Sequence, residues 1–356
     1  MKKFAMIMAG GGGTRFWPLS RQDMPKQLLN LTGKDIMINE AIKRCQKIIP
    51  AEKTFIVTNK RQAEKMESLL LREMSRENIL IEPAARNTAP CILLAAMQIY
   101  ERHGDGVLCV FPSDHYITDE EKFLDNLGTA IQITAEADTV LTFGIKPTYP
   151  SSAYGYIKCS GEAVNGQACR LERFVEKPSP EKAREYLSSG QYYWNSGIFL
   201  WKISTIFKLF EQFLPRIYNG LKEMEGKFCS AGAPALLEQL YHGFDSISID
   251  YGILERLQDA LVMPVDFGWN DLGSWDTLGA VLPIDANGNI VKAEHLGIDT
   301  KESTIYGSEK IIATVGINNI IIVDTADALL ICSKERAQDV KQIVDKLKEL
   351  GKTELL

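Results

Sequence analysis

The chain has 356 residues, of which 45% are hydrophobic and 24% charged, and its formal net charge is −6. This composition supplies apolar cores for about two domains, and the acidic balance argues against a nucleic-acid-binding protein, whose surface carries a basic face. No run of about 20 apolar residues indicates a membrane span and no signal peptide is evident, so we expect a cytoplasmic protein without a membrane partner.

Short apolar runs alternate with segments of helical period along the first 145 residues. The runs predict strands at Lys3–Met8, Thr54–Thr58, Ile79–Ile81, Val107–Phe111 and Thr139–Phe143. The segments between them predict helices at 37–49, 61–74, 88–102 and 120–136. Nearly continuous apolar strands are typical of a parallel sheet covered on both faces, so the pattern predicts a doubly wound α/β domain.

The pattern of predicted secondary structure changes further along the chain. Strands separated by turns are predicted from 154 to 201, and more helices follow to about 280. Beyond Pro283 come short β-rich pieces, NIVKA, TIYGS, KIIATVG, NIIIVD and ALLICS, and then a helix whose apolar face holds Ala337, Val340, Ile343, Val344, Leu347 and Leu350. We therefore predict a large domain at 1–282 and a small β-rich domain at 283–356.

Cysteine and histidine usage excludes common metal and disulfide frameworks. The seven cysteines are scattered without a CxxC pair, which favours reduced thiols in a reducing compartment. The four histidines form neither HxxxH nor HExxH, so a zinc site built from histidines is not expected.

A glycine-rich loop follows the first predicted strand. Four glycines, Gly10 to Gly13, precede Thr14 and Arg15. A strand, a glycine loop and a basic residue suit phosphate binding, because backbone N–H groups can approach phosphate oxygens closely. The loop is not a P-loop, since no lysine follows at the required spacing. It is not a GxGxxG dinucleotide loop either, since Arg15 and Phe16 stand where its last glycine belongs.

Eight motifs together resemble the sugar-1-phosphate nucleotidylyltransferase family over residues 1–280. They occur in order as GGGGTRFWPLSR…PKQLL, EPAARNTAP, FPSDHYI, YGYI, FVEKP, WNSGIFLW, SIDYGILE and FGWNDLGSW. The motifs EPAARNTAP and WNDLGSW are similar to those of its mannose-1-phosphate guanylyltransferase (GDP-mannose pyrophosphorylase) branch. The resemblance implies a Rossmann-like nucleotidyltransferase fold with a mixed, mostly parallel sheet and a C-terminal domain like a β-helix. It also implies GTP and mannose 1-phosphate as substrates.

The resemblance assigns two cations to the nucleotide phosphates. Arg15 suits the β- and γ-phosphates because its planar fork grips two oxygens, and Lys26 is expected at the α-phosphate. Both are expected to be catalytic. The nucleotide-binding set implied by the motifs is Ala9, Gly10, Gly11, Gly12, Gly13, Thr14, Arg15, Lys26, Glu82, Pro83, Arg86, Asn87, Thr88, Ser113 and Asp114.

Two carboxylates are candidates for binding Mg²⁺. Asp114 directly follows a predicted buried strand, at the edge where ligands of open α/β sheets bind. Mg²⁺ prefers carboxylate and phosphate oxygens, and Asp271 resembles the second metal carboxylate of the family. Each aspartate could instead cap a helix. His115, next to Asp114, is expected to pack rather than carry a proton, because an attacking phosphate oxygen is already ionised.

The sugar-phosphate site is predicted from the motifs after residue 150. Glu176 and Lys177 are expected on opposite faces of a strand end, the former accepting hydrogen bonds from sugar hydroxyls and the latter acting catalytically at the sugar phosphate. A solvent-exposed salt bridge is the alternative for this pair. The complete predicted set is Tyr154, Gly155, Glu176, Lys177, Asn195 and Asp271.

The sequence leaves open which groups contact the base of the nucleotide. Glu82 could accept from the N1–H and N2–H₂ donors of guanine, but main-chain groups could equally make those contacts. Arg86 is either a cation near the triphosphate or a structural residue. Trp194, Trp201, Trp269 and Trp275 are interpreted as core residues.

Three other functions compete with this interpretation. The same chemistry could use GTP with a manno-heptose 1-phosphate, or UTP or dTTP with glucose 1-phosphate. A non-catalytic paralogue that senses nucleotide sugars would be expected to lose Arg15, Lys26, Asp114 or Asp271, and all four are present. The residues after Pro283 are short for an isomerase barrel, so we expect one activity, and we predict that they mediate a homodimer.

Overall fold

Nine strands between residues 3 and 265 form one large mixed sheet in the described part of the chain. A computed structural model describes residues 1–164, 167–257, 259–307 and 309–356. Its main sheet contains β1 Lys3–Met8, β2 Thr54–Asn59, β3 Ile79–Glu82, β4 Val107–Pro112, β6 Leu141–Ile145, β7 Tyr156–Val164, β8 Ala168–Val175, β9 Tyr192–Lys202 and β10 Leu261–Val265. A separate short pair is formed by β5 Tyr116–Ile117 and β11 Trp269–Asn270.

The strand order confirms the doubly wound, mostly parallel sheet. The order is β3-β2-β1-β4-β9-β6-β10-β8-β7, with a further pairing of β9 and β7. Strands β1 to β4 are parallel neighbours, as are β6 and β10. Strands β8 and β9 run against the rest. The first four strands therefore end at one edge of the sheet, where the glycine loop begins.

Helices cover both faces of this sheet. They are α1 Met37–Gln46, α2 Lys60–Met66, α3 Thr88–His103, α4 Glu120–Glu136, α5 Pro180–Ser189, α6 Ile203–Phe213, α7 Pro215–Lys222, α8 Ala233–His242 and α9 Ile249–Gly252. Helix α2 is shorter than the predicted 61–74, whereas α3 and α4 match their predictions within a residue. None of the helices in the described part of the chain combines the length and the apolar character needed to cross a bilayer.

The C-terminal residues form six short β-strands and a final helix in the described part of the chain. The strands are β12 Ile290–Lys292, β13 His295–Ile298, β14 Thr304–Tyr306, β15 Ile312–Val315, β16 Ile320–Asp324 and β17 Leu329–Ser333, followed by α10 Val340–Glu349. Strands β12, β14 and β16 stack in parallel on one side, and β13 and β15 stack in parallel on another. This stacking is that of a β-helix, as expected; β13 has no counterpart among the predicted strands.

One apolar cluster joins the small domain to the large one. Its buried members come from both: Phe16, Trp17, Leu29, Leu31, Met37, Leu272, Trp275 and Leu278 from the first, and Ile290, Ile321, Val323, Leu330, Ala337, Val340 and Val344 from the second. Trp17 Nε1 donates to the Leu355 carbonyl at 2.9 Å, and Trp275 Nε1 donates to the Trp17 carbonyl at 3.1 Å. The predicted apolar face of α10 is only partly buried, since Ile343 is 38% and Leu350 73% exposed.

The cysteines depart from expectation at one place. Cys159 and Cys169 form a disulfide between β7 and β8, so the prediction of reduced thiols is wrong for these two. The other five are free; Cys45, Cys91 and Cys109 are buried, Cys332 is partly buried and Cys229 is exposed.

The apolar cluster between the two domains predicts that alanine substitutions of two isoleucines in the small domain differ in their effect on stability. Ile321 is fully buried in the cluster, whereas Ile331 on the paired strand is 62% exposed. Ile321→Ala is expected to lower the free energy of unfolding by about 2–5 kcal/mol, and Ile331→Ala by less than about 0.5 kcal/mol. Urea unfolding followed by tryptophan fluorescence measures both, because Trp17 and Trp275 lie in the same cluster. Equal losses would contradict the described packing.

Candidate active site

Two glutamine side chains donate hydrogen bonds to the backbone of the glycine loop. Gln27 Nε2 donates to the carbonyls of Ala9 and Gly11 at 2.8 and 3.0 Å, and Gln62 Nε2 reaches the Gly11 carbonyl at 3.3 Å. Gly10, Gly11 and Gly12 are exposed above these anchors. The carbonyls of Ala9 and Gly11 are thus engaged by protein, an arrangement that favours loop N–H groups facing a ligand. Gln27 and Gln62 were not among the predicted site residues, although Gln27 stands within the PKQLL motif.

The last glycine of the loop is required by its contact with Lys26. Gly13 has a φ of 57°, and a Cβ at this position would lie 2.3 Å from the Lys26 Cβ. No other residue type fits without moving the lysine, because L side chains disfavour this φ and the space is already filled. The close approach of Lys26 to the glycine loop therefore requires glycine at position 13.

Lys26 occupies the centre of the site. Its side chain is buried, and its Nζ donates to Asp114 Oδ2 at 2.7 Å and to the Asp271 carbonyl at 2.6 Å. Lysine has three N–H donors, so one donor is left for a ligand. The structure thereby unites three residues that the motifs assigned to the phosphates.

The short pair β5–β11 brings the two aspartates together. Thr118 N donates to the Gly268 carbonyl at 3.0 Å, and Trp269 Nε1 donates to His115 Nδ1 at 3.1 Å. Gly268 has a φ of 67°, and a Cβ there would lie 2.7 Å from the Thr118 Cβ. These contacts align the segment after β4 with the segment after β10. Asp114 stands just before β5 and Asp271 just after β11, at the same end of this antiparallel pair.

The resulting cavity opens beside the glycine loop. Thr14 and Arg15 line one wall, and Arg15 is exposed. The complete lining is Gly13, Thr14, Arg15, Lys26, Asp114, His115, Asp271, Gly273 and Lys341. We call this cavity the phosphate pocket. All of the predicted catalytic residues except Lys177 lie in it; Lys341 was not predicted.

The ionisable groups of the phosphate pocket respond differently to burial. Burial opposes ionisation of Asp114, but the Lys26 ammonium outweighs it and the pKa of Asp114 lies below its usual range. Burial raises the pKa of Asp271 above its usual range, and Lys26 offsets only part of this effect. Burial lowers the pKa of His115 to about 4, so its imidazole is neutral at pH 7. A packing role for His115 agrees with this neutral state.

Glu176 and Lys177 stand beyond the end of β8 and face each other. Lys177 Nζ lies 2.9 Å from Glu176 Oε1. The expectation that the two side chains occupy opposite faces is wrong, because the strand ends at Val175 and Lys177 adopts a φ of 44°. A Cβ at Gly155 would lie 2.5 Å from Glu176 Oε2, so a larger residue here would displace the Glu176 carboxylate.

Asp250 completes this second cluster and was missed by the sequence analysis. Asn195 Nδ2 donates to Asp250 Oδ1 at 2.9 Å, and Asn195 N donates to the Gly155 carbonyl at 2.8 Å. Burial, reinforced by the negative charge of Glu176, raises the pKa of Asp250 to about 7. The only sequence signal was its position within SIDYGILE. We call Gly155, Glu176, Lys177, Asn195 and Asp250 the carboxylate cluster.

Tyr154 connects the two regions. Its hydroxyl donates to Asp271 Oδ1 at 2.8 Å, and its ring contacts Trp194 and Trp269 at centroid distances of 5.0 and 5.3 Å. Trp194, Trp201 and Trp275 are buried, as expected of core residues, whereas Trp269 is only partly buried.

Glu82, the last residue of β3, and the residues that follow it lie at the same edge of the sheet but make different contacts. Glu82 is buried, its Oε1 has no hydrogen-bond partner among the described residues, and a Cβ at Gly10 would lie 3.8 Å from its Oε2. Arg86 donates to the Tyr241 and His242 carbonyls at 3.1 Å each, which supports its structural alternative. Asn87 caps α3 by accepting from Thr88 N at 2.9 Å.

Three further predicted residues have structural contacts. Thr88 Oγ1 accepts from Ile249 N at 2.8 Å and thus ties α3 to α9. Ser113 is buried, and its N–H donates to the Met8 carbonyl at 3.1 Å. Pro83 is partly buried next to Glu82. The structure therefore places Thr88 and Ser113 at the sheet edge without bringing them into the lining of the phosphate pocket.

Comparison with known proteins decides the family. Residues 4–287 match the nucleotidyl transferase family, and residues 293–347 match the MannoseP isomerase/GMP-like beta-helix domain. The chain belongs to the nucleotidyl transferase family. The fold class and the resemblance stated from the motifs are thereby confirmed. The predicted boundary at 282/283, the site roles and the homodimer stay predictions.

Relatives of this nucleotidyltransferase extend along nearly the whole chain. The xanthan biosynthesis protein XanB of Xanthomonas campestris pv. campestris is 40% identical over 354 residues, 98% of this chain and 74% of that protein. A mannose-1-phosphate guanylyltransferase of Salmonella muenchen is 37% identical, over 99% of this chain and 75% of that protein. A crystal structure described as mannose-1-phosphate geranyltransferase from Thermus thermophilus has a TM-score of 0.88 at 32% identity, covering 98% of this chain and all of that one.

The donor set of the nucleotidyltransferase fits a hard divalent cation. Two carboxylates, Asp114 and Asp271, face one cavity with Lys26 and Arg15, and oxygen donors of this kind suit Mg²⁺ together with phosphate. The raised pKa of Asp271, caused by burial, agrees with a carboxylate that a cation would stabilise. Among the described residues no group of three or more His, Cys, Asp and Glu is placed to hold a metal.

Glu82 makes the stability of this nucleotidyltransferase pH-dependent. Burial raises the pKa of Glu82 to about 7, so the folded chain holds a proton that the unfolded chain releases above pH 5. Stability is therefore lost as the pH rises from about 5 to 7. Glu82→Gln removes this loss and is expected to stabilise the protein at pH 8 by about 2–3 kcal/mol, with little effect at pH 5.

Chemical denaturation at pH 5 and pH 8 measures this difference. The control is Glu77→Gln, since Glu77 is exposed in the turn before β3. A stabilisation by Glu82→Gln that is the same at both pH values would show that Glu82 is not buried in the manner described.

Proposed function

We propose that the protein forms GDP-mannose and pyrophosphate from GTP and mannose 1-phosphate. The observation that carries this proposal is the convergence of Arg15, Lys26, Asp114 and Asp271 on the phosphate pocket at the carboxyl edge of the sheet. Two anionic substrates need this arrangement of fixed charges. The name of the Salmonella relative supports the choice of mannose 1-phosphate and a guanine nucleotide.

The nucleotide phosphates occupy the exposed side of the glycine loop. The free N–H of Lys26 is directed to the α-phosphate, where negative charge builds up as the bond to pyrophosphate breaks. Arg15 is exposed at the mouth and grips the β- and γ-phosphates with its planar fork. Glu82, next to Gly10, is the candidate acceptor for guanine N1–H and N2–H₂.

Mannose 1-phosphate occupies the carboxylate cluster. Glu176, Asn195 and Asp250 offer acceptors and donors to sugar hydroxyls, and Lys177 is the cation for the sugar phosphate. Tyr154 lies between this cluster and Asp271, so a sugar phosphate bound there faces the α-phosphorus of the nucleotide. Holding both reactants in line supplies a large part of the rate enhancement.

The chemical step joins a sugar-phosphate oxygen to the α-phosphorus while the bond between this phosphorus and the β-phosphate bridging oxygen breaks. Pyrophosphate leaves with that electron pair. No general base is needed, since the attacking oxygen is ionised at pH 7. Mg²⁺ held by Asp114 and Asp271 would neutralise phosphate charge when bound.

Pyrophosphate release tests the substrates. Purified protein with Mg²⁺ is assayed across GTP, ATP, UTP and dTTP with the 1-phosphates of mannose, glucose and a manno-heptose. Turnover with GTP and mannose 1-phosphate alone is expected. Preference for the heptose, or for UTP or dTTP with glucose 1-phosphate, would keep the reaction class and overturn the substrates. Binding of GTP without turnover of any pair would favour a sensor.

Lys26→Ala tests the assignment of the central cation. It is expected to lower kcat about 100- to 1000-fold, ~3 kcal/mol, because a fixed positive charge is lost where negative charge develops. Steady-state kinetics measures the effect, and Lys47→Ala is the control, since Lys47 pairs with Glu120 on the surface. An effect confined to the KM of the sugar phosphate would contradict the α-phosphate role.

A further inference from the structure

One cation of the phosphate pocket comes from the small domain. Lys341, in the first turn of α10, lines the pocket together with Arg15, Lys26 and Gly273. It lies far from every motif of the catalytic domain, and its sequence context, a lysine-rich amphipathic helix, is typical of a solvated surface. Its place in the pocket is a consequence of how the two domains pack.

The position of Lys341 is fixed by contacts on either side of it. Val340 and Val344 are buried in the cluster that contains Phe16 and Trp17, immediately after the glycine loop. Gln338 Nε2 donates to Ser274 Oγ at 2.7 Å, next to Gly273 of the pocket wall. The start of α10 is thus anchored to both walls of the pocket, and Lys341 stands between these anchors.

Lys341 stands at the start of a helix that adds no carboxylate partner for it. The N-terminal end of a helix carries partial positive charge, the first turn of α10 holds no acidic residue, and the N-cap Asp339 is paired with Arg336. Across the part of the chain that the structure describes, Lys341 and Arg15 form no ion pair within 4.0 Å, whereas Lys26 is paired with Asp114. The formal charges of Arg15 and Lys26 balance those of Asp114 and Asp271. Lys341 therefore gives the pocket its net positive charge.

We propose that Lys341 binds the β- and γ-phosphates of the nucleoside triphosphate, and the pyrophosphate product, so that the small domain completes the active site. The inference rests on the proposed function. Lys26 occupies the inner position between the two aspartate segments, and the two remaining cations, Arg15 and Lys341, are exposed at the mouth. The β- and γ-phosphates lie farthest from the ribose of the nucleotide, so they are the groups that reach Arg15 and Lys341.

Equilibrium binding tests Lys341 independently of turnover. Isothermal titration calorimetry with Mg²⁺ measures the Kd of GTP, pyrophosphate and GMP for the full chain and three variants. Lys341→Met removes the charge but keeps an unbranched helix-forming side chain, and Lys341→Arg keeps the charge. Lys346→Met makes the same change on the same helix at an exposed position outside the pocket lining.

Lys341→Met is expected to raise the Kd of GTP and of pyrophosphate about tenfold, the equivalent of one charge-assisted hydrogen bond, and to leave the Kd of GMP unchanged. Lys341→Arg restores most of the affinity, and Lys346→Met binds all three ligands as the unsubstituted chain does. Because GMP lacks the β- and γ-phosphates, a structural disturbance of the pocket would weaken it as well.

Two results would overturn the proposal. Unchanged binding of GTP and pyrophosphate by Lys341→Met shows that the lysine does not contact these phosphates. Equal weakening of GTP and GMP shows a structural role only. Failure of the proposed function is seen separately, as an unsubstituted chain that binds GTP and releases no pyrophosphate with any sugar phosphate, and the Kd ratios still decide the role of Lys341.

Discussion

The site depends on one buried ammonium group. Lys26 Nζ is removed from water and held by the Asp114 carboxylate and the Asp271 carbonyl, which are 88 and 245 positions away along the chain. A buried charge is costly unless it is paired and hydrogen-bonded, so both segments must be in place for the lysine to stay there. Gly13 has no room for a side chain because Lys26 fills that space. The glycine loop and the two aspartates are thus positioned by the same residue.

Two carboxylates of the site have a pKa that burial raises. The phosphate pocket and the carboxylate cluster both hold carboxylates whose pKa is raised by burial, Asp271 in the first and Asp250 in the second. Such groups are stabilised when cations or hydroxyl donors arrive. We infer that sugar hydroxyls and a divalent cation would stabilise these two carboxylates on binding, while the phosphate pocket as a whole carries a positive formal charge.

The two domains act as one unit because an apolar cluster spans them next to the glycine loop. Phe16 and Trp17 follow the loop directly, and Val340 and Val344 cover them from α10. Burial of these side chains stabilises the interface, and it also sets where the first turn of α10 lies. The packing of the two domains therefore brings Lys341 into the lining of the phosphate pocket.

The sequence by itself determined the alternation of strands and helices, the glycine loop and the family, because apolar periodicity and contiguous motifs are local properties of the chain. It also indicated Arg15, Lys26, Asp114 and Asp271, which stand inside such motifs. Only the tertiary structure decided that Glu176 and Lys177 pair, that Arg86 bonds to α8, and that Gln62, Asp250 and Lys341 join the site. These outcomes depend on a positive φ at Lys177, on a strand that ends at Val175 before this pair, and on the packing of two domains. Those are long-range or conformational constraints that no short stretch of residues encodes.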